Sequence, residues 1–386
     1  MAKLILKWDS EIQVSSGLLY LHLFSIIHRR QFSPPSAQSP ISAPAAQHRQ
    51  PLSEMPEAYE ALDVVLAQVM NQDPTTCIGA LRQLDELIKD KEKVQLMAQR
   101  MDQLLSGCFM AYRHVLKNTM KTDNCDPAEV MRVFQYLTMV LMSMYHNGDI
   151  TRTASTSAVH DLVHIIICVL LEPDVAGYPQ GAQLIRALNV LTVKIVDRSD
   201  HTNITSAFLR LLKESVGNPT LAPKYTELVM KCLWKVIRSL PNGWMDDLNV
   251  DLILSDLHAF LKEYPTSYWK AQESDTPVRT VKTVVHSLTK LMGDAVLDHL
   301  GSIRDPENSE LVPYLKKLLS NGIGKENTEN NGQQADSNNM QASNKAYAVK
   351  KAIPRFSKSD HETLAEIFKK IGQKEQTKQV TKTVVN

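Results

Sequence analysis

Apolar positions between about residue 55 and residue 320 recur every three to four residues, and the strict alternation of a half-buried strand is almost absent. The stretch "TPVRTVKTVVHSLTKLMG" (Thr276–Gly293) is representative. Val278, Val281, Val284, Val285, Leu288, Leu291 and Met292 fall on one face of a helix. Thr276 stands where an N-cap accepts a backbone N–H, and Pro277 stands where a missing N–H costs nothing. Gly293 stands just past the last turn, where left-handed backbone closes a helix. "YTELVMKCLWKVIRSLP" (Tyr225–Pro241) repeats the pattern, with Val229, Met230, Leu233, Trp234, Val236, Ile237 and Leu240 on the buried side.

Helix breakers interrupt the periodicity at intervals: Asp73-Pro74, Asp126-Pro127, Gly148-Asp149, Glu172-Pro173, Gly217 to Pro219, Pro241 to Gly243, Pro265, Gly293 and Asp305-Pro306. Asp73 before Pro74, and Asp126 before Pro127 and Glu129, also read as helix starts. The segments between breakers predict about twelve helices in antiparallel couples: 56–71 with 74–89, 92–120 with 126–146, 151–172 with 180–198, 202–215 with 223–240, 248–263 with 277–292, and 294–303 with 307–320. The pair period of roughly 40–50 residues is that of HEAT and armadillo arrays. One pair cannot bury its apolar faces alone, so the expectation is an all-α stack of about six pairs over residues 55–320.

The flanks differ in composition. Gly17 to Ile27 form an apolar run too short to span a bilayer. Asp9 and Glu11 precede it and no small-x-small cleavage site follows, so it reads as non-secretory. Residues 31–55 are rich in Pro, Ser, Ala and Gln, and residues 1–54 together read as a disordered leader and linker. Residues 321–344 are rich in Asn, Gln and Gly and predict a second disordered linker, which becomes basic over 345–358. A short helix over 359–372 follows, with Leu364, Ile367, Phe368 and Ile371 as its apolar face, and then a polar tail over 373–386. Such a face is too small to fold without a partner.

Bulk charge narrows the possible partners. The chain of 386 residues carries 43 Lys+Arg against 42 Asp+Glu, so any electrostatic targeting is local. Five Cys with no CxxC pair exclude a zinc ribbon and argue against a disulfide framework, which suits buried thiols in a reducing compartment. His160 and His164 in "HDLVH" stand four apart on a helix, but Asp161 is shorter than the Glu of a metalloprotease helix and no third ligand follows in a motif. "HETLA" from His361 has Ala365 where a second ligand belongs. "GIGKE" (Gly322–Glu326) lacks the Ser/Thr and the spacing of a P-loop. No catalytic, cofactor or metal residues are assigned, and the expected function is non-enzymatic binding.

A basic seam runs beside the apolar one. Arg279, Lys282, His286 and Lys290 recur on one helix, and Lys231, Lys235 and Arg238 on another. Arg186, Lys194 and Arg198 add to it from "GAQLIRALNVLTVKIVDRSD". Each is the second helix of its proposed pair, so stacking would align the cations as a ridge. Either the ridge is a solvated face with ion pairs, or Lys231, Lys235, Arg238, Arg279, Lys282 and Lys290 meet an acidic partner. Aromatic residues interleaved for base stacking are missing, so nucleic acid is not expected. Lys345, Lys350, Lys351, Arg355 and Lys358 in the second linker are a further basic cluster suited to an acidic, flexible partner surface.

"DRSDHTNITSAFLRLL", "KYTELVMKCLWKVIRSLP", "TPVRTVKTVVHSLTKL" and "LDHL", in that order, resemble the C-terminal TOG-like region of the ch-TOG/mini-spindles family of microtubule polymerases. "LAEIFKKIGQKEQTK" (Leu364–Lys378) resembles the segment that follows it, so the resemblance covers about residues 55–378. It implies HEAT/TOG-type architecture and partners in tubulin or microtubules and in a TACC-type coiled-coil adaptor docked through Leu364, Ile367, Phe368 and Ile371. It also implies a cytoplasmic, cytoskeletal place at spindle poles or centrosomes and kinetochores, with no membrane or nucleic-acid partner and no cofactor. The chain departs from the family in lacking the tandem TOG domains, and an aromatic residue in its first intra-pair turn, "MNQDPTTC" (Met70–Cys77). It also lacks most of the C-terminal helical module, so adaptor binding is expected to be weakened. The alternative is a HEAT-repeat adaptor with no direct tubulin contact.

Overall fold

The computed structural model describes residues 55–324, apart from 91–92, 122–125, 147, 219 and 241–246. The long helices are α1 (Met55–Val69), α2 (Pro74–Lys89), α3 (Met101–Lys117), α4 (Pro127–His146), α5 (Thr156–Leu171), α6 (Gly181–Arg198), α7 (His201–Val216), α8 (Pro223–Ser239), α9 (Val250–Glu263), α10 (Thr276–Met292) and α11 (Leu311–Ser320). They stack in two layers. The first helices of each pair (α1, α3, α5, α7, α9) pack side by side, and so do the second helices (α2, α4, α6, α8, α10). Each second helix also lies on its own first helix, and α11 closes the row against α10 and α9. Among the described residues there is no strand. The expected all-α HEAT-like stack is borne out.

Like helices run parallel, which the polar contacts show. Between α7 and α9, Asn249 N donates to Thr202 Oγ1 at 2.8 Å, Arg210 Nε meets Asp256 Oδ1 at 3.2 Å, and Tyr264 Oη donates to the Lys213 carbonyl at 3.1 Å. The contacts advance together along both helices. The core is continuous from Leu62 to Leu318. Helix α4 is hemmed in on three sides, by α2, α6 and α3. From Val130 to Tyr145 only Arg132, Gln135 and Ser143 escape burial. Phe134 and Tyr112 stack in this core with ring centroids 5.7 Å apart.

Local chemistry sets the ends. Asp73 caps α2 by accepting from Thr76 N at 2.8 Å, with Pro74 opening the helix, as expected. Ser155 caps α5 in the same way. Other boundaries differ from the sequence expectation. Thr276 is the first residue of α10 rather than its cap; Asp275 takes the cap position, and its carboxylate goes to Arg279 instead of the backbone. Gly293 does have positive φ (60°), but its ψ of −138° is outside the left-handed helical well. Expected helix 92–120 breaks at Gln99–Arg100, where Arg100 ion-pairs with Asp63 on α1 at 2.8 Å. The sixth pair begins with a 3-10 helix, Gly293–Ser302, instead of an α-helix. Residues 321–324, expected to begin a disordered linker, form an ordered turn: a Cβ on Gly324 (φ 93°) would fall 2.6 Å from Gly293 Cα, so only glycine lets the two backbones meet.

Histidines sit at the seams between pairs. His164 on α5 bonds Tyr225 Oη on α8 at 2.7 Å, and His258 on α9 bonds Ser309 Oγ at 2.8 Å. Burial lowers the pKa of His164, His258 and His201 below the ordinary histidine value of 6.5. Above about pH 6.5 each is neutral both folded and unfolded. As pH falls through that value the unfolded chain takes up protons first, so stability declines until the folded pKa values are reached. Urea denaturation should therefore show a lower midpoint at pH 5.5 than at pH 7.5, and His164→Gln should shrink the difference; equal midpoints would refute the assignment. Phe134→Ala should cost about 3–5 kcal/mol, read in the same melts.

Candidate basic face

The second layer is formed by the helices that carry the predicted ridge cations. Helix α8 buries Val229, Met230, Leu233, Val236 and Ile237, which turns Lys231, Lys235 and Arg238 away from the core. Helix α10 does the same with Val278, Val281, Val284, Val285 and Leu288. Trp234 is only partly buried; its Nε1–H donates to Thr280 Oγ1 at 3.1 Å and ties α8 to α10.

Several ridge cations already have partners in this chain. Lys231 pairs with Glu227 one turn earlier at 2.8 Å, and Arg279 pairs with Asp275. Lys235 crosses to Asp197 on α6 at 3.0 Å, with its side chain 18% exposed. Lys282 reaches Glu310 at 3.7 Å and lies 5.5 Å from the Tyr314 ring centre. Burial alone would raise the pKa of Glu310, but hydrogen bonds from Thr266 and the charge of Lys282 hold it below the usual carboxylate value. Arg238 and Lys290 also engage groups within the chain.

Other cations on this layer are uncompensated. Arg186, Lys194 and Arg198 on α6 and Lys224 on α8 have no carboxylate within ion-pairing distance among the described residues. Burial and then the charge of Arg198 lower the pKa of Lys194. Sequence reading counted all ridge cations alike. The i,i+4 partners Glu227 and Asp275 were visible in the sequence, but the Lys235–Asp197 and Lys282–Glu310 pairs join different helices and were not.

The remaining candidates divide differently. Lys345, Lys350, Lys351, Arg355, Lys358, Leu364, Ile367, Phe368 and Ile371 lie outside the described residues. His160 and His164 are spent on ties between repeats: His160 Nε2 bonds Glu214 on α7 at 3.0 Å, and His164 bonds Tyr225. Among the described residues no group of three or more His, Cys, Asp or Glu side chains is placed to hold a metal ion. No described helix is long and apolar enough to cross a membrane. The first intra-pair turn has used its polar groups locally: Asp73 accepts from Thr76, and Asn71 Oδ1 accepts from Asp73 N at 2.9 Å.

No protein-family model matches the chain. Known proteins do. The chain is 28% identical over 356 residues, 89% of its length, to Protein mini spindles of Drosophila melanogaster. A region of this chain matches the ch-TOG/mini-spindles family. Protein MOR1 of Arabidopsis thaliana is 26% identical over 264 residues, 64% of the chain, and Protein MOR1 of Oryza sativa subsp. japonica is 29% identical over 197 residues, 48% of the chain. The chain spans only 16%, 12% and 10% of those relatives. At 89% of the chain, the mini spindles match is longer than residues 55–386 together. It therefore runs into the stretch before residue 55, where the motifs alone showed no resemblance.

Lys235 and Arg186 should behave differently when reversed. Lys235→Glu sets a second carboxylate against Asp197 in a partly buried seam and should lower stability by about 1 kcal/mol. Arg186→Glu should leave it within about 0.5 kcal/mol, because that side chain is exposed and unpaired. Thermal melts of the two variants beside the parent distinguish them; equal shifts would mean that the Asp197 tie carries no weight.

Proposed function

We propose that this chain is a non-enzymatic, microtubule-associated scaffold. The observation that carries the reading is the match to mini spindles across 89% of the chain. The two-layer helical array supports it, because such an array offers a fixed surface for a partner. Tubulin or the microtubule lattice is the primary partner. Lys231, Lys235, Arg279 and Lys282 pair with carboxylates of the chain, so the positive character of the second layer comes mainly from Arg186, Lys194, Arg198 and Lys224, and Lys345, Lys350, Lys351, Arg355 and Lys358 add weak, salt-sensitive attraction to acidic tails. Leu364, Ile367, Phe368 and Ile371 form the contact for a TACC-type adaptor. The place of action is the cytoplasmic cytoskeleton, at spindle poles, centrosomes and kinetochores.

Co-sedimentation with microtubules at graded salt tests the reading. Binding should be measurable at low salt and fall steadily as salt rises, and neutralising the five linker cations should weaken it. A chain that stays in the supernatant at every salt concentration would instead be a HEAT-repeat adaptor without tubulin contact. The first turn, Met70–Cys77, which lacks an aromatic residue, favours that alternative at its own edge of the array.

A further inference from the structure

The seam between α6 and α8 is the loosest in the second layer: α6 packs closely on α4 but only lightly on α8. Lys235 to Asp197 is a polar tie that crosses it. Val190, Lys194 and Asp197 share a flank of α6 at i, i+4 and i+7, so the flank that reaches Lys235 also holds Lys194. Lys194 is partly buried there, and Arg198 is exposed one turn on. Neither has an acidic partner among the described residues. Further along the same helix Arg186 is exposed and likewise unpaired.

This arrangement is costly by itself. Like charges four apart on a helix repel, and a partly buried ammonium without a counter-charge loses hydration. At other seams the chain supplies the counter-charge: Asp256 takes Arg210, and Glu263 takes Lys213 at 3.2 Å. At the α6–α8 seam the carboxylates already have partners: Asp197 takes Lys235, and Glu227 on the same flank of α8 takes Lys231.

We propose that the α6–α8 seam is a docking site for an acidic, extended peptide segment, with Lys194 and Arg198 taking its carboxylates and Arg186 extending the track. The ammonium and the guanidinium fork of Arg198 suit carboxylates on neighbouring side chains. No aromatic residue stands among residues 186–198 of α6 for a base to stack on, which favours peptide over nucleic acid. The inference stands apart from the microtubule reading, since any glutamate-rich segment would fit.

Fluorescence anisotropy with a labelled poly-glutamate peptide tests it on the full chain at low salt, with a poly-glutamine peptide as control. The parent should bind the glutamate peptide and not the glutamine one. Lys194→Met with Arg198→Gln should weaken binding by at least roughly fivefold, while Lys316→Gln with Lys317→Gln on α11 should change it less than about twofold. If circular dichroism shows that the first variant is unfolded, the exposed pair Arg186→Gln with Arg198→Gln must give the same loss. Unchanged affinity in a folded variant overturns the proposal, as does a single-stranded oligonucleotide that binds more tightly and loses affinity in parallel. No microtubule is present, so failure here leaves the co-sedimentation result standing, and the reverse.

Discussion

Every long helix in this array has a face that its own pair cannot cover, and the neighbouring pair must cover it. Helix α4 makes the constraint plain. With α2 and α6 at its sides and α3 beneath, it can place Phe134, Leu137, Val140, Leu141, Met144 and Tyr145 in full burial. An isolated α3–α4 pair would leave much of that surface in water, at a cost of about 25 cal/mol for each apolar Å² exposed. Stability is thus a property of seams between pairs as much as of pairs.

The seams also carry many of the polar side-chain ties. Arg82 to Tyr136 Oη, Ser143 to Asp85, His160 to Glu214, Arg210 to Asp256 and Lys213 to Glu263 each join like helices of successive pairs. They do more for register than for net stability, since such bonds exchange for bonds to water. A sliding helix would strand several partly buried polar groups together, and this fixes which turn of one helix meets which turn of the next. The same accounting isolates α6 and α8. Their seam has more cations than carboxylates, so its positive charge comes from cations left without partners and not from an excess of Lys and Arg in the chain.

The 3.6-residue periodicity and the Asp-Pro breakers were enough to read the helices and their pairing, because both depend on local spacing. What escaped the sequence depended on other repeats. Arg100 pairs with Asp63 on α1 at the break between two helical segments, and Gly324 meets Gly293 in the turn after α11. Thr276 looked like a cap until Asp275, bound to Arg279, took the position. The ridge was legible as a stripe of cations. Which of them were neutralised was legible only for the i,i+4 pairs, since Asp197 lies 38 positions from Lys235 in the chain.

Two surfaces can be compared as contact points on purely physical grounds. The edge at the first intra-pair turn is chemically quiet. Asp73 already accepts from both the backbone and the side chain of Thr76, Asn71 turns inward to Asp73, and the exposed Met70 is flexible and apolar. A partner arriving there would have to break bonds that hold the start of α2. The second-layer face beside α6 requires no such loss. Its cations are exposed or half-exposed, they repel one another, and bringing a carboxylate between Lys194 and Arg198 relieves that repulsion while adding charge-assisted hydrogen bonds. A scaffold of this build would therefore hold an acidic partner across its flat face more readily than at its first turn, and the binding would weaken with salt because the attraction is between exposed charges.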